Sequence, residues 1–204
     1  MLDVRDTVKS VDLESVMLSY PLASGAELRA LEPWRAAEFF AFIVRAREHL
    51  APWIPWATSI TDVDGARRWL KHCAEEQARD EGRIYGIWLD GELVGGVVFQ
   101  AFRARAGVCE VGAWLAPEAE GRGLVTAGVR RMVEWAFEER GMARVEWRTE
   151  PANLRSIAVA RRLGMTREGL LRQVFRFHDG RRDLEMWSLL DSEYRTPSVG
   201  GVAV

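Results

Sequence analysis

The sequence predicts a mixed α/β domain, and three observations carry that reading. Strand-like and helix-like patterns alternate between about residues 27 and 190. The pairs Asp90-Gly91 and Asp179-Gly180 each separate apolar, β-rich runs, the turn chemistry of a hairpin. A strand pattern at 108–115 leads through a glycine-bearing loop into a helical pattern at 123–140. Hairpins toward both ends, with a strand-loop-helix unit between them, build a mixed sheet flanked by helices.

Taken in order, residues 27–31 read as a short strand. Pro33, whose fixed φ suits a first helical turn, opens a helix running to about Leu50. Asp62 and Asp64 place negative charge where the next helix, 65–78, begins, and the helix dipole favours it there. Residues 84–89 and 93–101 are strands joined through Asp90-Gly91-Glu92. The strand 108–115 stops before Pro117, which cannot donate to a ladder. Within 123–140, Val125, Val129, Met132, Val133, Ala136 and Phe137 recur at helical spacing and mark one core-facing side. Residues 144–148 form a strand and 154–163 a helix ended by Gly164. Strands at 170–177 and 184–190 flank Asp179-Gly180.

The chain has 204 residues, 48% hydrophobic and 28% charged, a composition that suits a single domain with a sizeable core. That domain is expected over 23–195, with an N-terminal extension at 1–22 and a flexible tail at 196–204. A formal net charge of −2 supplies no global attraction to nucleic acid or an anionic membrane; Arg161-Arg162 and Arg181-Arg182 read as solvated surface. No apolar run approaches the ~20 residues of a spanning helix, and residues 1–16 lack the apolar core of a signal peptide. Cys73 and Cys109 are too few and too separated for a disulfide framework or a zinc site. A reduced, cytoplasmic protein without a bound metal is expected.

Glu120-Gly121-Arg122-Gly123-Leu124-Val125-Thr126 is the segment richest in chemistry. Glycines where a helix begins leave backbone N–H groups unpaired and aimed outward, with the helix dipole adding positive potential. A diphosphate is the natural guest of such a loop; a simple tight turn is the other reading of the same residues. No Gly-Lys-Ser/Thr is present, and the dinucleotide-fold glycine spacing is not met.

The loop keeps ordered company. Glu110-Val111-Gly112-Ala113-Trp114-Leu115 precedes it. Ala136-Phe137-Glu138-Glu139, Asn153-Leu154-Arg155-Ser156, Leu163-Gly164-Met165, Glu168-Gly169 and the closing run from Asp183 follow. Leu28-Arg29-Ala30-Leu31-Glu32, His49-Leu50 and Trp53-Ile54-Pro55-Trp56 lie upstream. Together, over about 26–194, they resemble the GCN5-related N-acetyltransferase (GNAT) superfamily, in particular its RimJ/RimL-like branch. That resemblance implies a mostly antiparallel sheet with a central splayed parallel pair. It also implies transfer of acetyl from acetyl-CoA, as co-substrate, to a primary amine by direct attack in a ternary complex. The acceptor would be a protein N-terminus or similar amine, and a homodimer would fit the branch.

By the same resemblance, acetyl-CoA would be held by Gly121, Arg122, Gly123, Leu124, Val125 and Thr126, by the backbone around Trp114, Leu115 and Ala116, and by Asn153 and Ser156. Ser156 would also stand near the leaving thiolate as general acid. The acceptor would meet His49, Trp53 and Trp56. The sequence departs from the family pattern at Glu120, usually Gln or Arg, and at Val125, usually Gly or Ala. Glu110, on the coenzyme strand, is the first choice of general base; Glu168, His49, His178 and a water chain are its alternatives. Three other readings compete: a small-molecule amine acetyltransferase, a non-catalytic acyl-CoA-binding module and a plain interaction protein.

Overall fold

The structure, a computed structural model, describes residues 19–195; the expected tail and residues 1–18, which include the segment read for a signal peptide, lie outside them. In chain order the strands are β1 (Ser19–Pro21), β2 (Ala26–Ala30), β3 (Arg83–Leu89), β4 (Glu92–Arg103), β5 (Val108–Leu115), β6 (Arg144–Thr149), β7 (Thr166–Phe177) and β8 (Gly180–Leu190). They form one eight-stranded sheet in the order β1-β2-β3-β4-β5-β6-β8-β7. All neighbours pair antiparallel except β5 and β6, which run parallel. The helices are α1 (Ala36–Leu50), α2 (Trp56–Ser59), α3 (Val63–Ala78), α4 (Leu124–Glu138), α5 (Leu154–Arg162) and α6 (Asp191–Arg195). Among the described residues no helix is long and apolar enough to cross a membrane.

The sheet separates two cores. Against one face, α4 and α5 bury Val129, Met132, Val133, Phe137, Ile157 and Ala160 on Val97, Val111 and Val145. Against the other, α1 and α3 bury Phe39, Phe42, Ile43 and Leu70 on Trp88 and Trp114. In α1 the buried positions Ala36, Phe39, Phe42, Ile43, Ala46 and Leu50 follow the 3.6-residue period that puts one side on a core. In β5, Cys109 and Val111 enter the first core and Trp114 the second, the period-2 alternation of a strand buried on both faces. A fully buried ring such as Phe39 is worth about 3–5 kcal/mol against alanine in cores of this kind.

One close fit and one tight turn follow from small residues. A Cβ at Gly96 would meet the Trp114 ring at 2.1 Å, so the indole lies flat on the β4 backbone. Asp90 (φ 51°) and Gly91 (φ 83°) both take positive φ in the β3–β4 turn, the backbone of a type I′ hairpin. Asp62 caps α3, its Oδ1 accepting from Gly65 N at 2.6 Å. That bond carries the helix back to Val63.

Several boundaries differ from expectation. Pro33 opens a 3-10 turn, Pro33–Arg35, before α1 proper. The short helices α2 and α6 span too few residues to show a period. β7 and β8 begin at Thr166 and Gly180, in exposed polar stretches where ladder bonds hold the backbone without any apolar pattern. β1 falls within the stretch 1–22 assigned to an extension and pairs with β2 through Tyr20↔Leu28.

Candidate active site

The parallel pair at the centre of the sheet is paired only briefly. Val108, Cys109 and Glu110 of β5 match Arg144, Val145 and Glu146 of β6. β5 then continues beside β4 as far as Leu115, and β6 continues beside β8 as far as Thr149. The two strands therefore part beyond Glu110, leaving the β6-facing backbone edge of 111–115 without a strand partner. A cleft of about 1770 Å³ opens at this point, walled by α1, α3, the strand ends and the glycine loop.

The loop gives the cleft its donors. Ala119 N and Glu120 N bond back to Ala116 O and Pro117 O, and the next backbone bond is Ala127 N to Gly123 O. Between them, the amides of 121–126 have no backbone acceptor among the described residues. Gly121 (φ 78°) and Gly123 (φ 74°) both take the left-handed conformation, which glycine adopts without steric cost. A Cβ at either would meet nothing within 4 Å, so the backbone turn, rather than crowding, calls for glycine. The Leu124 side chain is 1% exposed in the core, so its contribution to the cleft is its amide. Val125 packs partly against the same core. Gly121, Arg122, Gly123, Val125 and Thr126 all border the cleft.

Glu120 is electrostatically answered. Its Oε1 lies 3.1 Å from His49 Nε2 and its Oε2 3.3 Å from Arg155 Nε. The carboxylate that departs from the family pattern thus ties the end of α1 to the loop, and the Arg155 guanidinium offsets its repulsion of an anion. His49 borders the cleft beside the loop.

Asn153 and Ser156 share one hydrogen-bonded corner. Asn153 caps α5, its Oδ1 accepting from Ser156 N at 3.1 Å. Trp147 Nε1 donates to Ser156 Oγ at 2.9 Å. An oxygen that already accepts keeps its hydroxyl proton available, so Ser156 is arranged to donate. Trp114 and Leu115 line the cleft, but the Trp114 indole is 5% exposed in the second core with its Nε1 unpartnered. Ala116 stands outside the cleft wall: it is fully buried, and its N–H is spent on Val94 O at 2.8 Å.

Glu110 sits at the vertex, on the last paired rung of β5 and β6. Its Oε2 is 3.4 Å from Arg148 Nε. Burial pushes its carboxyl above the usual carboxylate range, with Arg148 pulling against that and Glu146 adding to it; desolvation disfavours the charged form. Of the alternatives, Glu168 and His178 lie outside the cleft wall. Arg144 donates to both Glu168 oxygens at 2.6 Å and Ser188 Oγ donates at 2.7 Å, which holds that carboxyl at about 2. His178 packs tilted against Phe177 at the β7–β8 turn, ring centroids 4.4 Å apart.

Trp53 and Trp56 are half-buried and line the cleft. Trp56 is the hub of an aromatic cluster, with centroids 5.4 to 5.6 Å from Phe39, Trp69 and Trp114. Sequence reasoning missed Trp69, His72 and Cys73 on the α3 wall, where it named Glu76 only as an acidic residue near the acceptor loops. These stand at i, i+3, i+4 and i+7, so their shared side was readable as a stripe. Gln100, Trp147 and Arg148 also border the cleft and were not anticipated. Among the described residues no three His, Cys, Asp or Glu side chains cluster as metal ligands.

Comparison with known proteins agrees with this geometry. The sequence pattern of the family described as "Acetyltransferase (GNAT) domain" matches residues 27–166. A Bacillus subtilis (strain 168) protein named "Putative ribosomal N-acetyltransferase YdaF" is 30% identical, covering 82% of this chain and 92% of its own. The solved structure of Mycobacterium smegmatis RimJ in complex with CoA-disulfide aligns with a TM-score of 0.79 at 23% identity, covering 86% of this chain and 88% of that one. RimL, the ribosomal L7/L12 alpha-N-protein acetyltransferase, solved with coenzyme A, aligns at 0.78 and 21% identity, covering 84% and 97%.

Proposed function

The chain belongs to the GNAT acetyltransferase family, and from that premise we propose that it acetylates the N-terminal amine of a protein with acetyl-CoA. One observation carries the reading: β5 and β6 part beyond Glu110 beside a loop of free amides. The opened β5 edge and the loop supply what a thioester with a diphosphate tail needs, namely an extended groove and anion-binding donors. Acetylation of a protein α-amine is what the name of RimL states for that protein, and YdaF is named a ribosomal N-acetyltransferase; both support a protein acceptor here.

The residues divide the work. The amides of 121–126 hold the diphosphate without needing charged side chains. The opened β5 edge presents backbone N–H groups to the negative charge that develops on the carbonyl oxygen. Glu110 removes the proton of the attacking amine, a task that a raised carboxyl performs better than an ordinary one. Ser156, fixed by Trp147, gives its proton to the departing thiolate. Trp53 and Trp56 wall the acceptor side.

A small cationic amine is the second reading, supported by Glu76 and Glu110 on the cleft wall. Thiol release from acetyl-CoA, measured against N-terminal peptides and small amines, separates the two. Peptides are expected to be preferred, and Ser156→Ala to lower kcat by about tenfold or more while coenzyme affinity holds. Preferred turnover of a small amine would overturn the peptide assignment, and an unchanged kcat would remove Ser156 as the acid. The same reading places the protein in the cytoplasm as a homodimer. Exposed Leu170 and Val174 on the edge strand β7 support an apolar contact there. Sedimentation equilibrium tests it, a monomer at high micromolar concentration being the contrary result.

A further inference from the structure

The β4–β5 ladder slips once. Phe99 pairs with Val111 and Ala101 with Glu110, which leaves Gln100 as an extra residue without a rung. A bulge costs ladder bonds, bends the strand and re-aims one side chain. Here it produces an exposed Gln100 on a strand whose stretch 93–97 is buried, and Gln100 borders the cleft.

The seat of that side chain is defined by a missing one. A Cβ at Gly112 would come within 2.4 Å of Gln100 Nε2 and 3.5 Å of Val98 Cγ1. The Nε2 end of the carboxamide therefore occupies the space that a side chain at 112 would fill, next to the rung that carries Glu110. Val98 and Trp56 border the same cleft as apolar surface, and Glu76 reaches it from α3. No described residue hydrogen-bonds the Gln100 side chain. The cleft floor thus offers one planar group, a donor and an acceptor side by side, beside the candidate base.

We propose that Gln100 pairs with the first peptide bond of the acceptor and so selects peptide amines over simple alkylamines. The proposal rests on the acetyl-transfer reading above and adds the substrate feature that is recognised. A peptide bond is the planar donor and acceptor that complements a carboxamide. An alkylamine offers no such group and leaves the amide unpaired as it displaces water, which costs binding.

The test measures thiol release from acetyl-CoA with two acceptors, the tripeptide amide Ala-Ala-Ala and isobutylamine. Wild type, Gln100→Leu and Gln100→Met are compared, the methionine keeping the length of the side chain without its amide. For both variants kcat/KM with the tripeptide is expected to fall about tenfold, mainly through KM, and at least fivefold further than with isobutylamine. Coenzyme-induced thermal stabilisation should persist in both, which shows that they fold and bind the donor. Equal losses with both acceptors, or no loss with the tripeptide, would overturn the proposal. A wild type stabilised by acetyl-CoA that acetylates neither acceptor would also overturn it. A wild type that acetyl-CoA does not stabilise would instead sink the acetyl-transfer reading itself.

Discussion

Glu110→Gln is expected to lower kcat by about 100-fold or more, within the range that a positioned base supplies. The same substitution should abolish the acidic limb of the pH–rate profile. In the wild type that limb lies above the ordinary carboxylate range, because burial raises the Glu110 carboxyl more than Arg148 lowers it. Activity therefore rises with pH as Glu110 ionises. Stability has the opposite sign. A carboxyl raised on folding from its ordinary value of 4.5 contributes stability below that value and loses it as pH rises through the folded value. At neutral pH the glutamine variant should thus not lose stability by this route, and a reduced rate would report chemistry rather than unfolding. Pre-steady-state rates with saturating acetyl-CoA across pH provide the measurement. A kcat within threefold of wild type with an intact limb would assign the proton to a water chain.

Gly123→Val is expected to weaken acetyl-CoA binding by at least tenfold, a change of about 1.4 kcal/mol. Gly123 caps α4 in the left-handed conformation, φ 74°, where an L residue costs about 1–2 kcal/mol and a β-branched one is a genuine outlier. The chain relieves that strain by turning the amides of 121–126 away from a common centre. Asparagine tolerates this conformation, so Gly123→Asn should lose least and valine most, with Gly123→Ala between them. Because nothing lies within 4 Å of a Cβ there, the ordering follows backbone strain rather than side-chain size. Isothermal titration with coenzyme A reads the series. Asparagine and valine variants with equal affinity would show that the loop amides do not hold the diphosphate.

The elements legible in the sequence were those whose signal is local. β5 runs over Val108–Leu115 as expected, since alternation and Pro117 mark both its course and its end. The β3–β4 turn follows from Asp90-Gly91, and α4 from its apolar spacing. The β7–β8 hairpin was underestimated because its outer half is exposed and polar, and cross-strand bonds rather than composition hold it. The candidate site was partly legible too. The loop, Asn153 and Ser156, Trp53 and Trp56 were named from order and resemblance, and all border one cleft. Ala116 was misplaced because the strand pattern does not tell which amide a neighbouring strand consumes.

The α3 wall was present as a stripe, but a stripe reads as core until a cavity is seen beside it. Gln100 could not be found at all: a bulge exists only in the register between two strands. Likewise the pairing of Glu120 with His49 and Arg155 joins three distant segments, and no local pattern announces it.

By itself, then, the sequence determined most of the succession of strands and helices, all but β1 and the short α2 and α6, together with the glycine loop and its family. The elements and the loop follow from side-chain period, backbone permissiveness and short-range turn chemistry; the family rests on resemblance across the ordered motifs. Only the tertiary structure decided where β5 and β6 part, which carboxyl is buried at that vertex, and which polar group lies open on the cleft floor. Those depend on desolvation and on hydrogen-bond partners far apart in the chain, and both come into being only when the chain is folded.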